Sequence, residues 1–250
     1  ALATPSNYSS TITVTLAAGE VFHIHLTVKV YGFILPFEMK FRAFSDLDER
    51  GLVAVYPNAS KAEVHELYLR WGEYLLDHIR INPGTFYLPD PIPVEDVARW
   101  REHGLNFFTV AATRSCNPLH NDTCELDPAK PGLMNQTMAL IERLRPTIME
   151  LRKRGWMNMS SVYGFDESPP EATVGLRAVF GALKQAFPDL PTMTTSHTTL
   201  TQDYQLLRDA NIDLPIVWWG KMDKANITHC ESEGMRVTSY FADSPWQPEV

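Results

Sequence analysis

The first 30 residues alternate polar and apolar side chains. Residues 11–16, Thr-Ile-Thr-Val-Thr-Leu, change character at every position, and residues 21–30 do so in part, with Gly19-Glu20 as a turn between the two runs. A period of two indicates strands with one buried and one exposed face. The pattern therefore predicts a half-buried antiparallel hairpin that stops at Leu35-Pro36. Because two strands are too few to bury a core, we expect residues 1–36 to be the C-terminal strands of an N-terminal β-sandwich.

From residue 37 onward, strand patterns alternate with helix patterns at about 30 residues per unit. Several of the helical patterns end at glycine or proline, as the helix of residues 94–103 does at Gly104. Such alternation predicts a parallel sheet with helices outside it. The predicted strands are residues 39–44, 85–88, 106–112, 162–167, 192–195, 214–219 and 236–241, and the predicted helices are residues 62–79, 94–103, 133–154, 172–187, 202–210 and 223–233.

Seven parallel strands are more than a doubly wound sheet usually has and one fewer than a (β/α)8 barrel has. We therefore expect residues 37–250 to form an α/β catalytic domain of the TIM-barrel type that is incomplete and truncated after its seventh strand. Pro146 lies inside the helix predicted at residues 133–154 and is expected to kink or split it.

Two adjacent acidic residues, Asp166 and Glu167, follow an apolar run and precede Ser168-Pro169-Pro170. Since proline supplies no N–H and fixes its φ, the strand ends before the proline pair and the acids lie at its carboxyl end. Ligands of α/β proteins bind at this edge of the sheet. Adjacent acids also repel each other, which costs folding energy. The alternative role is a helix N-cap, because acidic residues suit the first turn of the helix that follows.

Aromatic and polar residues end the following strands. Aromatic rings stack on the apolar C–H face of a sugar, and carboxylates act on the glycosidic oxygen and on the positive charge that develops at the anomeric carbon. The pattern therefore predicts a carbohydrate site. Trp218 and Trp219 point to opposite faces, so one of them must face a helix. For His197 the alternative is a hydrogen-bonding role in a loop, and for Tyr240 it is a place in the core. The predicted substrate-binding residues are Tyr163, His197, Trp218, Trp219, Tyr240 and Asp243.

Composition excludes several classes of partner. The 250 residues carry a formal net charge of −8, which argues against nucleic acid or an anionic membrane as the main partner. No uninterrupted apolar run is long enough for a transmembrane segment, so none is predicted. His23 and His25 share one strand face, but no third ligand candidate stands beside them, and the three cysteines lack the spacing of a zinc site. We therefore predict no metal and no cofactor.

Glycosylation signals indicate the compartment. Six of the ten asparagines begin an Asn-x-Ser/Thr triplet, whereas chance would give about one or two. The excess predicts a eukaryotic glycoprotein of the secretory pathway, secreted or lumenal. Cys116 and Cys124 lie in one loop and are predicted to form a disulfide bond, which leaves Cys230 either free or paired outside this chain. The six acceptor residues are Asn7, Asn58, Asn121, Asn135, Asn158 and Asn226.

The segment Val162-Tyr163-Gly164-Phe165-Asp166-Glu167 resembles the signature of glycoside hydrolase family 123, formerly grouped with domains of unknown function. Weaker likenesses follow the order of that family and bring the resemblance to about residues 22–248. Members are described as β-N-acetylgalactosaminidases with a (β/α)8 catalytic domain, so the resemblance implies a hydrolase of carbohydrate metabolism. The weaker stretches are Phe33–Pro36, Leu75–Ile81, Phe187–Thr192 and Ile216–Trp218.

The resemblance also implies a mechanism. In that family the acetamido oxygen of the substrate acts as the nucleophile, so the reaction retains configuration without a carboxylate nucleophile. Glu167 would match the general acid, and Asp166 would match the residue that holds the acetamido N–H and stabilises its positive charge. Trp218 and Tyr240 would match aromatic residues near the sugar. The implied substrate is a glycan or glycoconjugate with β-linked N-acetylgalactosamine or another N-acetylhexosamine.

Two other functions fit the same residues. One is a retaining glycosidase in which Glu167 is the acid and Asp243 is the nucleophile. The other is a non-catalytic carbohydrate-binding protein, which a truncated barrel would suit.

Overall fold

The structure is a computed structural model that describes residues 4–33, 42–47, 49–86, 88, 90–113, 128–129, 131–166, 172–196, 207–218, 224–232 and 234–240. The chain divides into two compact units, Ala1–Phe37 and Glu38–Val250. It stays a prediction that the first unit is the end of a β-sandwich and that the second is an incomplete catalytic barrel. No helix among the described residues has the length and apolar character needed to cross a bilayer.

The first unit is an antiparallel hairpin of β1 (Ser6–Thr15) and β2 (Val21–Val30), in which Ile12 lies opposite Ile24. One face carries the apolar side chains, and on the other face the hydroxyls of Thr11 and Thr13 lie 3.2 Å from Nδ1 of His25 and His23. The predicted half-buried state is wrong for these strands, because the apolar face is exposed over the described residues, with Ile24 at 53%. A single layer of two strands has nothing of its own to cover that face.

The second unit contains seven described strands that pair in parallel. The first two, β3 (Phe44–Asp46) and β4 (Asn82–Gly84), form one pair. The other five form a sheet in which each strand pairs with the next one in sequence. This order is the one expected when every crossover connection returns on the same side of the sheet. It supports the predicted parallel α/β architecture, whereas closure into a (β/α)8 barrel stays a prediction. The five strands are β5 (Phe108–Ala112), β6 (Ser160–Tyr163), β7 (Thr192–Ser196), β8 (Leu214–Trp218) and β9 (Thr238–Tyr240).

The helices follow the predicted order with two differences. A short helix, α1 (Glu49–Val55), precedes α2 (Lys61–Tyr74) and was not predicted. The helix that contains Pro146 continues through it and is not split. Most of the helix predicted at residues 202–210 lies outside the described residues, although residues 207–209 are helical. The remaining helices are a π-helical turn (Leu75–Ile79), α3 (Val94–Glu102), α4 (Pro131–Lys153), a 3₁₀ turn (Met157–Met159), α5 (Thr173–Ala186) and α6 (Lys224–Ser232).

The sheet is buried on both faces by two apolar clusters. One cluster contains Val162 and Phe108 and extends into the side chains of α2 to α5. The other contains Tyr163 and Phe107 and draws no residue from a described helix. Val162 and Tyr163 are neighbours in β6 but belong to different clusters, so the two clusters lie on opposite faces of the sheet. Helices cover the first face, and side chains of the strands and the residues beside them fill the second. We call the second cluster the inner cluster; it consists of Phe86, Phe107, Tyr163, Met193, Leu214 and Ile216.

Strand β4 lies three residues before its predicted position. Its residues, Asn-Pro-Gly, have low strand propensity, but Asn82 is fully buried and its amide donates to Ala43 O and to Asn106 Oδ1, both at 2.8 Å. Thr85, which was predicted to start the strand, lies outside it and contacts β5 through its side chain, whose hydroxyl donates to Thr109 O at 2.7 Å. Side-chain hydrogen bonds therefore replace part of the backbone ladder here.

Three helices of the second unit meet at an imidazole between two carboxyl groups. Nδ1 of His65 on α2 lies 2.5 Å from Glu49 Oε1 on α1, and its Nε2 lies 3.3 Å from Asp96 Oδ2 on α3. Burial alone would lower the pKa of His65, but the hydrogen bonds and charges of Glu49 and Asp96 together outweigh burial and raise that pKa above its ordinary value. For the Asp96 carboxyl group burial acts in the opposite direction: it disfavours the charged form and so raises the pKa of Asp96.

We expect the stabilising effect of His65 to disappear at alkaline pH. A folded pKa above the unfolded one means that the stabilisation is complete below about pH 6.5 and is lost as the pH rises through the folded pKa. Urea unfolding should therefore show His65→Gln to be less stable than the wild type at pH 5.5, with a smaller deficit at pH 8.5. The change is at most about 0.5 kcal/mol, since the groups are partly exposed and screened.

A matched control is His78→Gln, because His78 makes no ion pair with a carboxylate among the described residues. Equal deficits for His65→Gln at both pH values would show that the imidazole is not charged in the folded protein.

Candidate functional site

The backbone that follows β6 is held on both sides by neighbouring strands. On one side, Thr113 N donates to Tyr163 O at 2.6 Å, and on the other side Gly164 N donates to Met193 O at 3.1 Å. The strand itself ends at Tyr163, four residues before the predicted end at residue 167. Gly164, Phe165 and Asp166 form a turn at the carboxyl edge of the sheet, and we call these three residues the site turn.

Gly164 has no room for a side chain. A Cβ at this position would lie 1.5 Å from Thr113 Oγ1 and 2.8 Å from Thr113 Cβ. Because Thr113 is itself buried, it cannot move away without disturbing the end of β5. Only glycine therefore permits this close approach of β5 and β6.

Phe165 adopts a left-handed backbone conformation, with φ of 56°. This conformation is unfavourable for a bulky side chain. Here it breaks the regular alternation of faces, because Tyr163 and Phe165, two residues apart, belong to clusters on opposite faces. The Phe165 ring is 1% exposed and packs on the helix-covered face, in the cluster that contains Val162 and Phe108, 5.8 Å from the Phe180 ring centroid. Burial of that ring offsets the conformational cost and directs the next residue, Asp166, to the inner face.

Asp166 is buried and receives a hydrogen bond from Tyr163. Tyr163 Oη donates to Asp166 Oδ1 at 2.5 Å and lies 2.7 Å from Thr195 Oγ1. The side chains are deeply buried, with Tyr163 3% exposed and Asp166 and Thr195 each 7% exposed. The Tyr163 ring packs edge-on against Phe86 in the inner cluster, with ring centroids 5.0 Å apart. The carboxylate is therefore held in one orientation at the edge of the inner cluster.

The helix-capping alternative for Asp166 does not fit these contacts. Helix α5 begins at Thr173, its N-cap residue is Ala172, and no side-chain hydrogen bond caps it among the described residues. The Asp166 carboxylate instead receives the Tyr163 hydroxyl on the inner face.

Two predicted aromatic positions lie at the same edge. The register of β8 and β9 places Trp218 opposite Tyr240, and the register of β7 and β8 places Ser196 opposite Val217. The carboxyl ends of β6 to β9 therefore follow one another along one edge, as predicted. Four other predicted site residues lie outside the described residues, so their roles stay predictions: Glu167, His197, Trp219 and Asp243.

Thr113 and Thr195 belong to this region and were not predicted as site residues. Thr195 lies two residues after Met193 and thus on the same strand face, which is the signal that places its hydroxyl beside Tyr163. Thr113 Oγ1 is buried and has no hydrogen-bond partner among the described residues. Threonine is common in strands for reasons of propensity, so its chemical role is not visible in the sequence.

The histidine pair and the cysteines are placed as follows in the described part of the chain. No group of three metal-binding side chains is present there, and the His23 and His25 rings pair with threonine hydroxyls. Cys230 is a free thiol buried against Val217 and Met235, and burial raises its pKa. The predicted disulfide partners, Cys116 and Cys124, lie outside the described residues.

We expect Gly164→Ala to disrupt the site turn. The new Cβ overlaps Thr113, so the variant should lose about 3 kcal/mol or more of unfolding free energy, measured by urea denaturation. The double variant Gly164→Ala/Thr113→Gly removes the overlapping atoms and should recover part of the loss. Gly181→Ala in α5 is the control, because nothing lies within 4 Å of its new Cβ and alanine favours the helix by up to about 1 kcal/mol. Wild-type stability of Gly164→Ala would contradict the packing described here.

Comparison with known proteins gives a likeness of fold. No protein-family model matches the chain, and no curated protein matches it. Among solved structures, a family 123 glycoside hydrolase from Clostridium perfringens, studied for glycolipid glycan hydrolysis, is similar over 98% of this chain with a TM-score of 0.60 and 13% identity. This chain spans about half of that structure, 51% of its length.

More distant structures are a β-D-glucuronidase from Dictyoglomus thermophilum and a protein from Silicibacter pomeroyi named for glycerophosphoryl diester phosphodiesterase activity. The first has a TM-score of 0.45 at 12% identity and covers 97% of this chain and 45% of its own. The second has a TM-score of 0.38 at 18% identity and covers 61% of this chain and 45% of its own. This chain therefore shares its α/β fold with the Clostridium structure. At 13% sequence identity the similarity extends to the fold alone.

Proposed function

We propose that this protein is a glycoside hydrolase that removes β-linked N-acetylgalactosamine, or another N-acetylhexosamine, from a glycan or glycoconjugate. The observation that carries the proposal is the buried Asp166 carboxylate, held by Tyr163 at the carboxyl edge of a parallel sheet. Two facts support it. The fold is similar to that of a family 123 glycoside hydrolase. Trp218 and Tyr240 occupy neighbouring strand ends at the same edge, where aromatic rings suit a sugar.

The proposed mechanism is retaining and substrate-assisted. Glu167 donates a proton to the glycosidic oxygen while the acetamido carbonyl oxygen attacks the anomeric carbon, and the glycosidic bond breaks. The product of this step is a cyclic oxazolinium ion and the released alcohol. Glu167 then takes a proton from a water molecule, and the water oxygen attacks the anomeric carbon. This attack breaks the bond between the acetamido oxygen and the anomeric carbon, opens the oxazolinium ring and gives net retention.

Asp166 is assigned to the acetamido group. Its carboxylate accepts the acetamido N–H, orients the carbonyl oxygen for attack and stabilises the positive charge of the oxazolinium ion. A carboxylate accepts up to about four hydrogen bonds, so the bond from Tyr163 is compatible with one from the substrate. Burial supports this assignment, because a fixed charge in a low-dielectric site acts more strongly than one in water.

Substitution of the two aspartates distinguishes this mechanism from the Asp243 alternative. On a chromogenic N-acetylgalactosaminide, Asp166→Asn should lower kcat about 10²- to 10³-fold, because it removes the charge that stabilises the oxazolinium ion. Asp243→Asn should lower kcat less than Asp166→Asn does, because Asp243 is not the nucleophile in this mechanism. A thiazoline analogue of N-acetylgalactosamine, which mimics the oxazolinium ion, should inhibit the wild type competitively.

The opposite pattern, with only Asp243→Asn inactive and the thiazoline bound poorly, would assign Asp243 as the nucleophile. Absence of turnover by the full-length protein, with glycan binding intact, would favour a non-catalytic carbohydrate-binding protein.

We also propose that the chain is a eukaryotic glycoprotein, secreted or lumenal, with a Cys116–Cys124 disulfide. The side chains of four acceptor asparagines are described, and all four are exposed: Asn7, Asn58, Asn135 and Asn158. By contrast, Asn82 is fully buried and begins no acceptor triplet. Exposure of the acceptors is what attachment of a glycan requires.

Glycan attachment is expected when the protein is expressed in eukaryotic cells. Peptide:N-glycosidase F in ¹⁸O-water should convert the used asparagines to labelled aspartates, which peptide mass spectrometry locates. Asn211 is exposed without an acceptor triplet and should stay unlabelled as an internal control. Secretion with all six acceptors unlabelled would contradict the proposal. The same peptide maps, before and after reduction, test the disulfide.

A further inference from the structure

The direction of the hydrogen bonds at Asp166 follows from the number of protons. A tyrosine hydroxyl has one proton, and that of Tyr163 is donated to Asp166 Oδ1 at 2.5 Å. Toward Thr195 Oγ1, 2.7 Å away, Tyr163 Oη can therefore only accept. The Thr195 hydroxyl must donate, and the result is a directed chain from Thr195 through Tyr163 to Asp166.

The neighbouring residue of β7 binds the same turn from the opposite face. Thr194 Oγ1 donates to Phe165 O at 3.0 Å. Since successive strand residues face opposite sides, two adjacent threonines hold the site turn, one through a backbone carbonyl and the other through Tyr163 and the Asp166 carboxylate.

We propose that Thr195 is a positioning residue that acts on Asp166 through Tyr163. Its hydroxyl fixes the rotation of the Tyr163 O–H, and Tyr163 in turn fixes the carboxylate in the orientation that receives the acetamido N–H. The proposal rests on the function proposed above for Asp166. Thr195 has no contact with the substrate in this scheme and is not a catalytic residue.

The chemistry of the site suits this role. The β-branched side chain of Thr195 has few rotamers, and its strand pairs with β8 at Ile216, so the hydroxyl has a fixed origin. All three side chains are more than nine-tenths buried. In such surroundings each hydrogen bond polarises the next, so removal of the first donor weakens the bond at the carboxylate.

The first test compares three variants in steady-state kinetics. Thr195→Val removes the donor and should lower kcat about tenfold with little change in KM, since orientation matters most in the transition state. Thr195→Ser keeps the donor and should retain near wild-type kcat. The double variant Tyr163→Phe/Thr195→Val should be no worse than Tyr163→Phe alone, because Thr195 acts only through Tyr163.

Two outcomes of the kinetic test would overturn the proposal. Additive losses in the double variant would mean that Thr195 acts independently of Tyr163. Failure of Thr195→Ser to restore activity would mean that Thr195 serves packing.

Thr194→Val is the matched control from the same strand and removes a bond to backbone rather than to the chain of hydroxyls. It should lower stability without sharing the coupling to Tyr163. If Thr195→Val does not fold, Thr195→Ala removes the same donor with a smaller side chain and takes its place in the comparison.

A second measurement does not need activity. The hydroxyl proton of Tyr163 should give a slowly exchanging downfield NMR resonance, assigned by its loss in Tyr163→Phe, that moves upfield in Thr195→Val and not in Thr194→Val. If the wild type hydrolyses no N-acetylhexosaminide and this shift is observed, the proposed function fails while the hydrogen-bond chain stands. If the enzyme is active and depends on Asp166, an unchanged resonance with full activity in Thr195→Val overturns the role of Thr195.

Discussion

The structure of the site depends on a change of sheet face within three residues. Gly164 allows the chain to touch Thr113, and the left-handed Phe165 then sends its ring to the helix side and Asp166 to the inner side. A bulky residue in this conformation costs about 1–3 kcal/mol. Complete burial of a phenylalanine ring returns a similar amount, about 1.5–3 kcal/mol. The helix layer therefore supplies the stability that keeps a buried carboxylate on the other face.

Parallel pairing in sequence order makes residues far apart along the chain into neighbours. Asp166 follows β6, Thr195 lies in β7, and Trp218 and Tyr240 end β8 and β9, so each step of about 25 residues along the chain becomes one strand spacing at the edge. The threonines of β7 then connect two of these strands directly, because their hydroxyls reach the turn that follows β6. A site of this kind requires both the common strand direction and the correct alternation of faces.

The sequence predicts the order of strands and helices because buried parallel strands are short apolar runs and helices repeat with their own period. It fails where a tertiary contact overrides local preference. Residues 164 and 165 were predicted as strand, but the contact with Thr113 and the burial of Phe165 turn the chain there. Asn82 lies among turn-forming residues and is drawn into a strand by its amide hydrogen bonds. The position of Asp166 beyond the end of the strand was predictable, whereas the contact of Thr195 was not, since its partner is 32 residues away.

Two buried aspartates of this protein are held in different ways, and the difference bears on their roles. Asp96 faces the His65 imidazole, which is able to carry a positive charge, so that contact both orients and neutralises the carboxylate. The contact between Tyr163 and Asp166 comes from a hydroxyl, which orients the carboxylate. A structural ion pair gains from neutralisation. In the proposed mechanism the Asp166 carboxylate must instead face the oxazolinium ion, and the hydrogen bond from Tyr163 supplies that orientation.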